Sequence, residues 1–174
     1  IGMPHKACLY SRVPVINAGD GAGEHPTQAI YDAYTILKHF PNKNELVISL
    51  VGDLKNGRTV HSLVKLLVKL NLRIYFNFIS PGNLMMPSNI IGSVSQEKFV
   101  VNVTDDFSLK IGESDVIYMT RVQKERFNNI REYDKVKSCY QLNKKLLNSA
   151  KKDVIIMHPL PIAAGEIAAE LDDD

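Results

Sequence analysis

Leu46-Val47-Ile48-Ser49-Leu50-Val51, then Gly52-Asp53-Leu54-Lys55-Asn56-Gly57-Arg58-Thr59, then Val60-His61-Ser62-Leu63-Val64-Lys65-Leu66-Leu67-Val68: the order of these three pieces decides the fold. The first is short, β-branched and almost continuously apolar, as a strand buried on both faces is. The third repeats Val60, Leu63, Val64, Leu67 and Val68 at helical spacing, so it reads as an amphipathic helix. A buried strand that passes through a glycine-bounded loop into such a helix belongs to a parallel sheet with crossover connections.

The pattern spreads outward from there. Val13 to Ile16, Leu72 to Ile79, Phe99 to Val103, Val116 to Met119 and Val154 to Met157 are further strand candidates. Between them, Ala29, Ile30, Ala33, Tyr34 and Leu37 form a helical stripe behind Pro26, a residue suited to a first turn. Leu142, Leu146, Leu147 and Ala150 form a weaker one. Ser80-Pro81-Gly82-Asn83 and Met86-Pro87-Ser88-Asn89 punctuate loops within the domain. The expectation is an α/β, doubly wound, Rossmann-like fold. Its mainly parallel sheet has helices on both faces, and residues 1–174 form a single domain.

Composition excludes other classes. The 174 residues are 45% hydrophobic and 23% charged, ordinary globular usage that argues against disorder. A formal charge of +2 gives no nucleic-acid or membrane surface by itself, so an electropositive site must come from a few placed arginines. No apolar run approaches the roughly 20 residues that span a bilayer. Ile1-Gly2-Met3-Pro4-His5-Lys6 lacks the apolar core of a secretory signal. Cys8 and Cys139 have no ligand-like spacing, which fits two free thiols in a reducing cytoplasm. Neither a metal nor a cofactor is expected.

In a sheet of this kind, ligands sit beyond the carboxyl ends of the strands. Four unusual polar segments fall at that rim: Asn17 to Gln28, Gly52 to Thr59, Thr120 to Glu125 and His158-Pro159-Leu160-Pro161. The second fits a phosphate-loop pattern with Arg58 in place of the lysine, so a degenerate nucleotide-binding domain is one reading. That reading also wants a metal-holding acid at the end of a second strand, where Thr120-Arg121 stands instead. Arg58 in a first helical turn opposes the helix dipole. Either it reaches away into solvent, or it grips an anion together with the helix amides. Arg121 either begins a charged, solvated helix or, with Glu125 four residues on to hold it, forms the second half of a clamp. Two arginines on one rim suit a ligand with two carboxylates. His25 and Gln28, one turn apart, could polarise a carbonyl and hold its amide, or serve only at a helix start. His61 reads as helix packing, His5 and His39 as surface. Ser62 and Ser114 have no evident histidine–carboxylate set, so nothing supports covalent catalysis.

Together these residues resemble the aspartate/ornithine carbamoyltransferase family, and within it the aspartate branch. The likeness is carried by Asn17-Ala18-Gly19-Asp20-Gly21, His25-Pro26-Thr27-Gln28, the run from Val51 to Ser62, and Tyr118-Met119-Thr120-Arg121-Val122-Gln123-Lys124-Glu125-Arg126-Phe127. It extends from about Val13 to Glu170. The resemblance implies transfer of a carbamoyl group from carbamoyl phosphate to L-aspartate, in pyrimidine biosynthesis. It implies that His25 bonds the carbamoyl oxygen, while Gln28 and the carbonyls of Pro159 and Leu160 hold the carbamoyl nitrogen. Arg58 and Arg121 would clamp the aspartate carboxylates, Gln123 assisting and Glu125 orienting Arg121. A homotrimeric parent protein is also implied.

The sequence departs from that family in two respects. A Ser-Thr-Arg-Thr phosphate-binding run, the lysine loop of a neighbouring subunit and the carboxyl-terminal helices are absent, so the chain is expected to be the aspartate-binding domain of a longer protein and inactive alone. Ile162, followed by Ala163-Ala164-Gly165, stands where the family usually has an arginine after His-Pro-Leu-Pro. A non-catalytic assembly domain that keeps the fold is the remaining alternative.

Overall fold

In the computed structural model, residues 1–94, 99–124, 127, 129–137, 139–163 and 165–171 are described. The deciding stretch forms β1 (Glu45–Val51), a loop, and α3 (Arg58–Leu67). Four further strands pair with it: β2 (Arg73–Ile79), β3 (Phe99–Thr104), β4 (Val116–Met119) and β5 (Ile155–Met157). All pairings are parallel, in the order β3-β2-β1-β4-β5. The chain thus winds outward from β1 in one direction, then returns to β4 and winds the other way.

Helices cover both faces. α2 (Pro26–His39), α3 and α4 (Ser88–Val94) pack on one, where Ile36, Leu63, Val64 and Leu67 meet Ile48, Leu50, Phe76 and Phe78. The other face is covered by α5 (Ser108–Ile111) and α7 (Lys144–Leu147), with Val51, Ile79, Ile117 and Met119 beneath Phe107, Ile111 and Leu142. β4 is buried on both faces along its whole length, as its continuous apolar run requires. Each such Leu, Ile or Phe contributes roughly 1.5–3 kcal/mol on burial. α1 (Met3–Tyr10) and α6 (Ile130–Val136) complete the α-helices of the described residues. None is long and apolar enough to cross a membrane.

Three expectations are corrected. Val13 to Ile16 is not a strand: Val13 and Ile16 are 70% and 79% exposed in an irregular segment. Pro14 removes a ladder donor there, and both sheet edges lie elsewhere, at β3 and β5. The stripe from Leu142 to Ala150 is helical only over Lys144–Leu147, because Leu142 forms a parallel bridge to Ile167 instead. No helix opens at Arg121, where the chain is irregular as far as Gln123, and among the described residues the next α-helix begins at Ile130.

A pair of devices makes room at the carboxyl edge. Gly52 leaves β1 with φ 117°, and a methyl group there would lie 2.3 Å from the Thr120 carbonyl oxygen and 2.6 Å from its hydroxyl. Only glycine lets the loops after β1 and β4 approach so closely. Below them, fully buried Asp53 accepts from the Asn56 backbone N–H at 3.0 Å and from its Nδ2, fixing the turn that delivers Gly57 and α3.

Candidate functional site

At the carboxyl ends of β1, β4 and β5, where the strand order reverses, a cleft of about 360 Å³ opens. Such a switch point is where open α/β sheets bind ligands. Seven residues named from sequence line it: His25 and Gln28 from α2, Arg58 from α3, Arg121 and Gln123 after β4, and Pro159 and Leu160 after β5. Glu125 lies outside the described residues.

α2 brings its first turn to the cleft because it is fastened to α3. The His25 N–H donates to Ser62 Oγ at 2.9 Å, while Glu24 accepts from the Ser62 hydroxyl and pairs with Lys65. Burial would raise the Glu24 carboxyl, but Lys65 and Ser62 hold it below its ordinary value. His25 is the N-cap residue, and its Nδ1 accepts from the Gln28 N–H at 3.4 Å. The local helix-start bond therefore exists. With Nδ1 used as acceptor, the ring proton sits on Nε2, so the same histidine retains a donor. Partial burial, then the nearby Arg58 charge, lowers its pKa from 6.5 and favours the neutral ring.

Arg58 turns back from the helix end: its Nη1 donates to the Gly21 carbonyl at 2.9 Å. The guanidinium lies against Gly19, where a methyl group would stand 3.1 Å from Nη1. That loop is braced by Asp20, which accepts from the Gly2 N–H at 2.6 Å, and by Asn17, which accepts from the Gly19 N–H at 2.8 Å. Across the cleft, Gln123 Nε2 reaches the Asn56 carbonyl at 3.5 Å, linking the loops after β4 and β1.

The third wall is held by His158. Its Nδ1 accepts from the Leu160 N–H at 2.9 Å, and its Nε2 meets Glu166 Oε2 at 3.1 Å. Glu166 Oε2 also accepts from the Ala163 N–H at 2.7 Å, so this segment is closed on itself despite Ile162. Leu160 has φ 57° and precedes a cis peptide to Pro161.

Sequence reasoning missed what lies beneath Gln28. Asp32, 4% exposed, accepts from Gln28 Nε2 at 3.1 Å and from the Tyr118 hydroxyl at 2.7 Å. An aspartate within an apolar helical face is the one local signal, since a buried carboxylate needs partners. His61 behaves as read, with Nε2 2.7 Å from the Leu54 carbonyl and its pKa lowered by burial.

Among the described residues no group of three His, Cys, Asp or Glu side chains could hold a metal. The cleft is lined by two guanidinium groups, two imidazoles and side-chain amides. Chemically it suits anion capture and stabilisation of charge on a carbonyl oxygen.

Comparison with known proteins places the chain in a family. The family model "Aspartate/ornithine carbamoyltransferase, Asp/Orn binding domain" matches residues 44–174, and the companion "carbamoyl-P binding domain" matches residues 2–38. The reading of residues 1–174 as all aspartate-binding domain thus meets a division near residue 40. The aspartate carbamoyltransferase catalytic subunit of Thermococcus gammatolerans is 46% identical over 171 residues, 98% of this chain and 54% of that protein. The multifunctional protein pyr1-3 of Dictyostelium discoideum is 43% identical over the whole chain, which covers 8% of it. Aspartate transcarbamoylase from Trypanosoma cruzi, solved with carbamoyl phosphate and aspartate, superposes with a TM-score of 0.85 at 34% identity, over 98% of this chain and 54% of that one. The chain spans about half the length of these single-enzyme relatives. It belongs to the aspartate/ornithine carbamoyltransferase family and carries the Asp/Orn-binding domain with a short piece of the carbamoyl-phosphate-binding domain.

Proposed function

We propose that the chain is the aspartate-binding half of an aspartate carbamoyltransferase, acting in pyrimidine biosynthesis in the cytoplasm as part of a homotrimeric protein. The observation that carries this is the meeting of Arg58 and Arg121 in one cleft with His25 and Gln28. The Trypanosoma cruzi relative, solved with carbamoyl phosphate and aspartate, supports the choice of substrates. In this reading Arg58 and Arg121 each meet one aspartate carboxylate, Gln123 assists, and Glu125 orients Arg121. The aspartate amine then faces the carbamoyl carbon. As the new N–C bond forms, charge grows on the carbamoyl oxygen, towards which neutral His25 turns its Nε2–H. The carbamoyl NH₂ group donates to Gln28 and to the carbonyls of Pro159 and Leu160. Phosphate departs with the electron pair of the broken C–O bond, and the amine proton is lost to phosphate or water.

The test is carbamoyl aspartate formation by the complete catalytic chain and its His25→Ala variant. Turnover should fall far more than aspartate binding, because a donor to a developing oxyanion acts in the transition state. Turnover within about threefold of the parent, where loss of an oxyanion donor typically costs 10²–10³, would reduce His25 to a helix cap. The 174 residues assayed alone should be inactive, with activity recovered on adding the rest of the carbamoyl-phosphate-binding domain. ATP binding that depends on magnesium would overturn the reading.

A further inference from the structure

Beneath the cleft, one buried carboxylate joins α2 to β4. Asp32 faces the sheet one turn after Gln28, and Gln28 Nε2 lies 3.1 Å from each of its oxygens. Tyr118, fully buried at the centre of β4, donates to Asp32 Oδ2 at 2.7 Å across 86 residues of sequence. Thr59, from the first turn of α3, lowers the pKa of the Tyr118 hydroxyl. Thr59 and Gln28 both line the cleft, so polar groups lie under its floor at both walls.

The chemistry of these groups is directional. An ionised carboxylate only accepts, so it takes the NH₂ end of Gln28 and leaves Oε1 on the far side. Tyr31 donates to Oε1 there. A glutamine without this anchor could offer either end of its amide to the cleft.

We propose that Asp32 and Tyr118 are positioning residues that lock the Gln28 amide with its oxygen outward, so that the cleft accepts a hydrogen bond from a substrate NH₂ group. This rests on the reading of the cleft as a carbamoyl site. Tyr118 supplies the second donor that keeps the Asp32 carboxylate ionised, and its burial in β4 gives the pair a fixed reference.

The lock has a pH signature. Burial raises the Asp32 pKa, opposed by Tyr118, Gln28 and the charge of His25. The titratable groups facing it are His25 and Tyr31 from its own helix and Tyr118 from β4. α3 adds the uncharged Thr59, while its Arg58 acts on His25. Below its raised pKa, Asp32 carries a proton, can donate to Oε1, and lets the amide turn over. Removing the Tyr118 donor raises that pKa further, so the effect must move to higher pH.

Tyr118→Phe and Asp32→Asn in the complete catalytic chain test this. Tyr118→Phe should lower kcat by about 10- to 100-fold, the scale of a misplaced reacting group, with KM for aspartate within about twofold. Its acid limb in kcat should shift to higher pH, while Asp32→Asn should lose the Asp32 contribution to that limb and leave that of His25. A Tyr118→Phe enzyme with unchanged kcat and an unmoved limb overturns the proposal. So does an equal loss in kcat and kcat/KM with no movement of the limb. NMR of the Gln28 side-chain amide in the 174-residue chain reads the lock without turnover. Its signals should move with pH in the parent and at higher pH in Tyr118→Phe. If both variants unfold, the parent decides: Gln28 signals indifferent to pH overturn the lock. If the parent enzyme fails to carbamoylate aspartate while the NMR behaviour holds, the functional reading falls and the lock stands.

Discussion

Arg121 comes from the loop after β4 and Arg58 from the start of α3, so neither can be replaced by a neighbour on the same element. Arg121→Ala should weaken binding of aspartate or succinate by roughly 1.5–3 kcal/mol, the range for hydrogen bonds to charged groups. Calorimetric titration checks this, and equal affinity in variant and parent removes Arg121 from the clamp. His25 has a lowered pKa, so the neutral ring prevails at and above pH 6.5 and its donor–acceptor polarity is lost as pH falls through the lowered value. Gly52→Ala should be among the most damaging single changes in the chain. Its methyl would meet the Thr120 backbone rather than a yielding side chain, at a φ of 117°. Overpacking of this kind costs about 1–3 kcal/mol before backbone strain is added. Urea denaturation measures it, and a loss under 0.5 kcal/mol, the scale of a neutral surface change, would show that the two loops can separate freely.

α2 carries two apolar faces with different fates. Ala29, Ala33 and Ile36 are buried on α3 and the sheet, whereas Ile30, Tyr31 and Tyr34 are 60%, 52% and 62% exposed. α1 buries none of its residues, and Met3, Leu9 and Tyr10 are exposed as well. This apolar surface lies in the piece that matches the carbamoyl-phosphate-binding domain, and under the proposed function its occupant is the rest of that domain. Ile30→Gln with Tyr34→Gln should leave the stability of this chain within about 0.5 kcal/mol, as exposed changes do. The same pair should weaken association with the separately made remainder of that domain by at least about tenfold, or 1.4 kcal/mol. Unchanged association would move the contact elsewhere. The stripe read from sequence ran through Ile30, Tyr34 and Leu37, so it marked the helix but mixed its two faces. Periodicity reports that a face will be covered; it does not say by what. The inner strands β2, β1 and β4 were legible because burial leaves a mostly apolar run, whereas β3 and β5, partly exposed at the sheet edges, were legible from their short apolar, β-branched runs. Val13 to Ile16 imitated one, since local β-branching says nothing about whether a sheet edge is nearby. At the site, seven rim residues could be read from their places at strand ends. Asp32 and Tyr118 could not be paired, because their contact spans 86 residues and no local pattern encodes it.

On the scale of the whole molecule, the edge opposite the cleft is held by one carboxylate. Asp115 begins the approach to β4, accepts from the Val47 N–H at 2.8 Å, and pairs with Lys151 at 2.7 Å and Lys43 at 3.0 Å. It thereby ties β1, β4 and the connection before β5 at their amino ends. Burial would raise its pKa, but Lys151, the Val47 amide and Lys43 outweigh that and hold it below 3.8. The stabilisation is therefore present above pH 3.8 and lost as pH falls through the lowered value. Asp115→Asn should cost about 1.5–3 kcal/mol at neutral pH, the range for hydrogen bonds to charged groups. The difference from the parent should shrink as pH falls through the lowered value, and urea denaturation followed from pH 7 down through the acid range compares the two. A variant as stable as the parent at pH 7 would show that Asp115 adds no net stability at that edge.

The cleft also has a seam. His25, Gln28 and the Gly21 carbonyl that receives Arg58 come from the stretch matched to one domain of the family, and every other wall comes from the stretch matched to the other. For anyone dividing such an enzyme into two separately made halves, the place of the cut then matters more than the domain boundary. A break near residue 40 would part His25 and Gln28 from the guanidinium groups and leave each half with an unfinished wall. Keeping residues 2–38 joined to the rest holds that edge of the cleft together, with α2 as the adapter on which, under the proposed function, the second half docks.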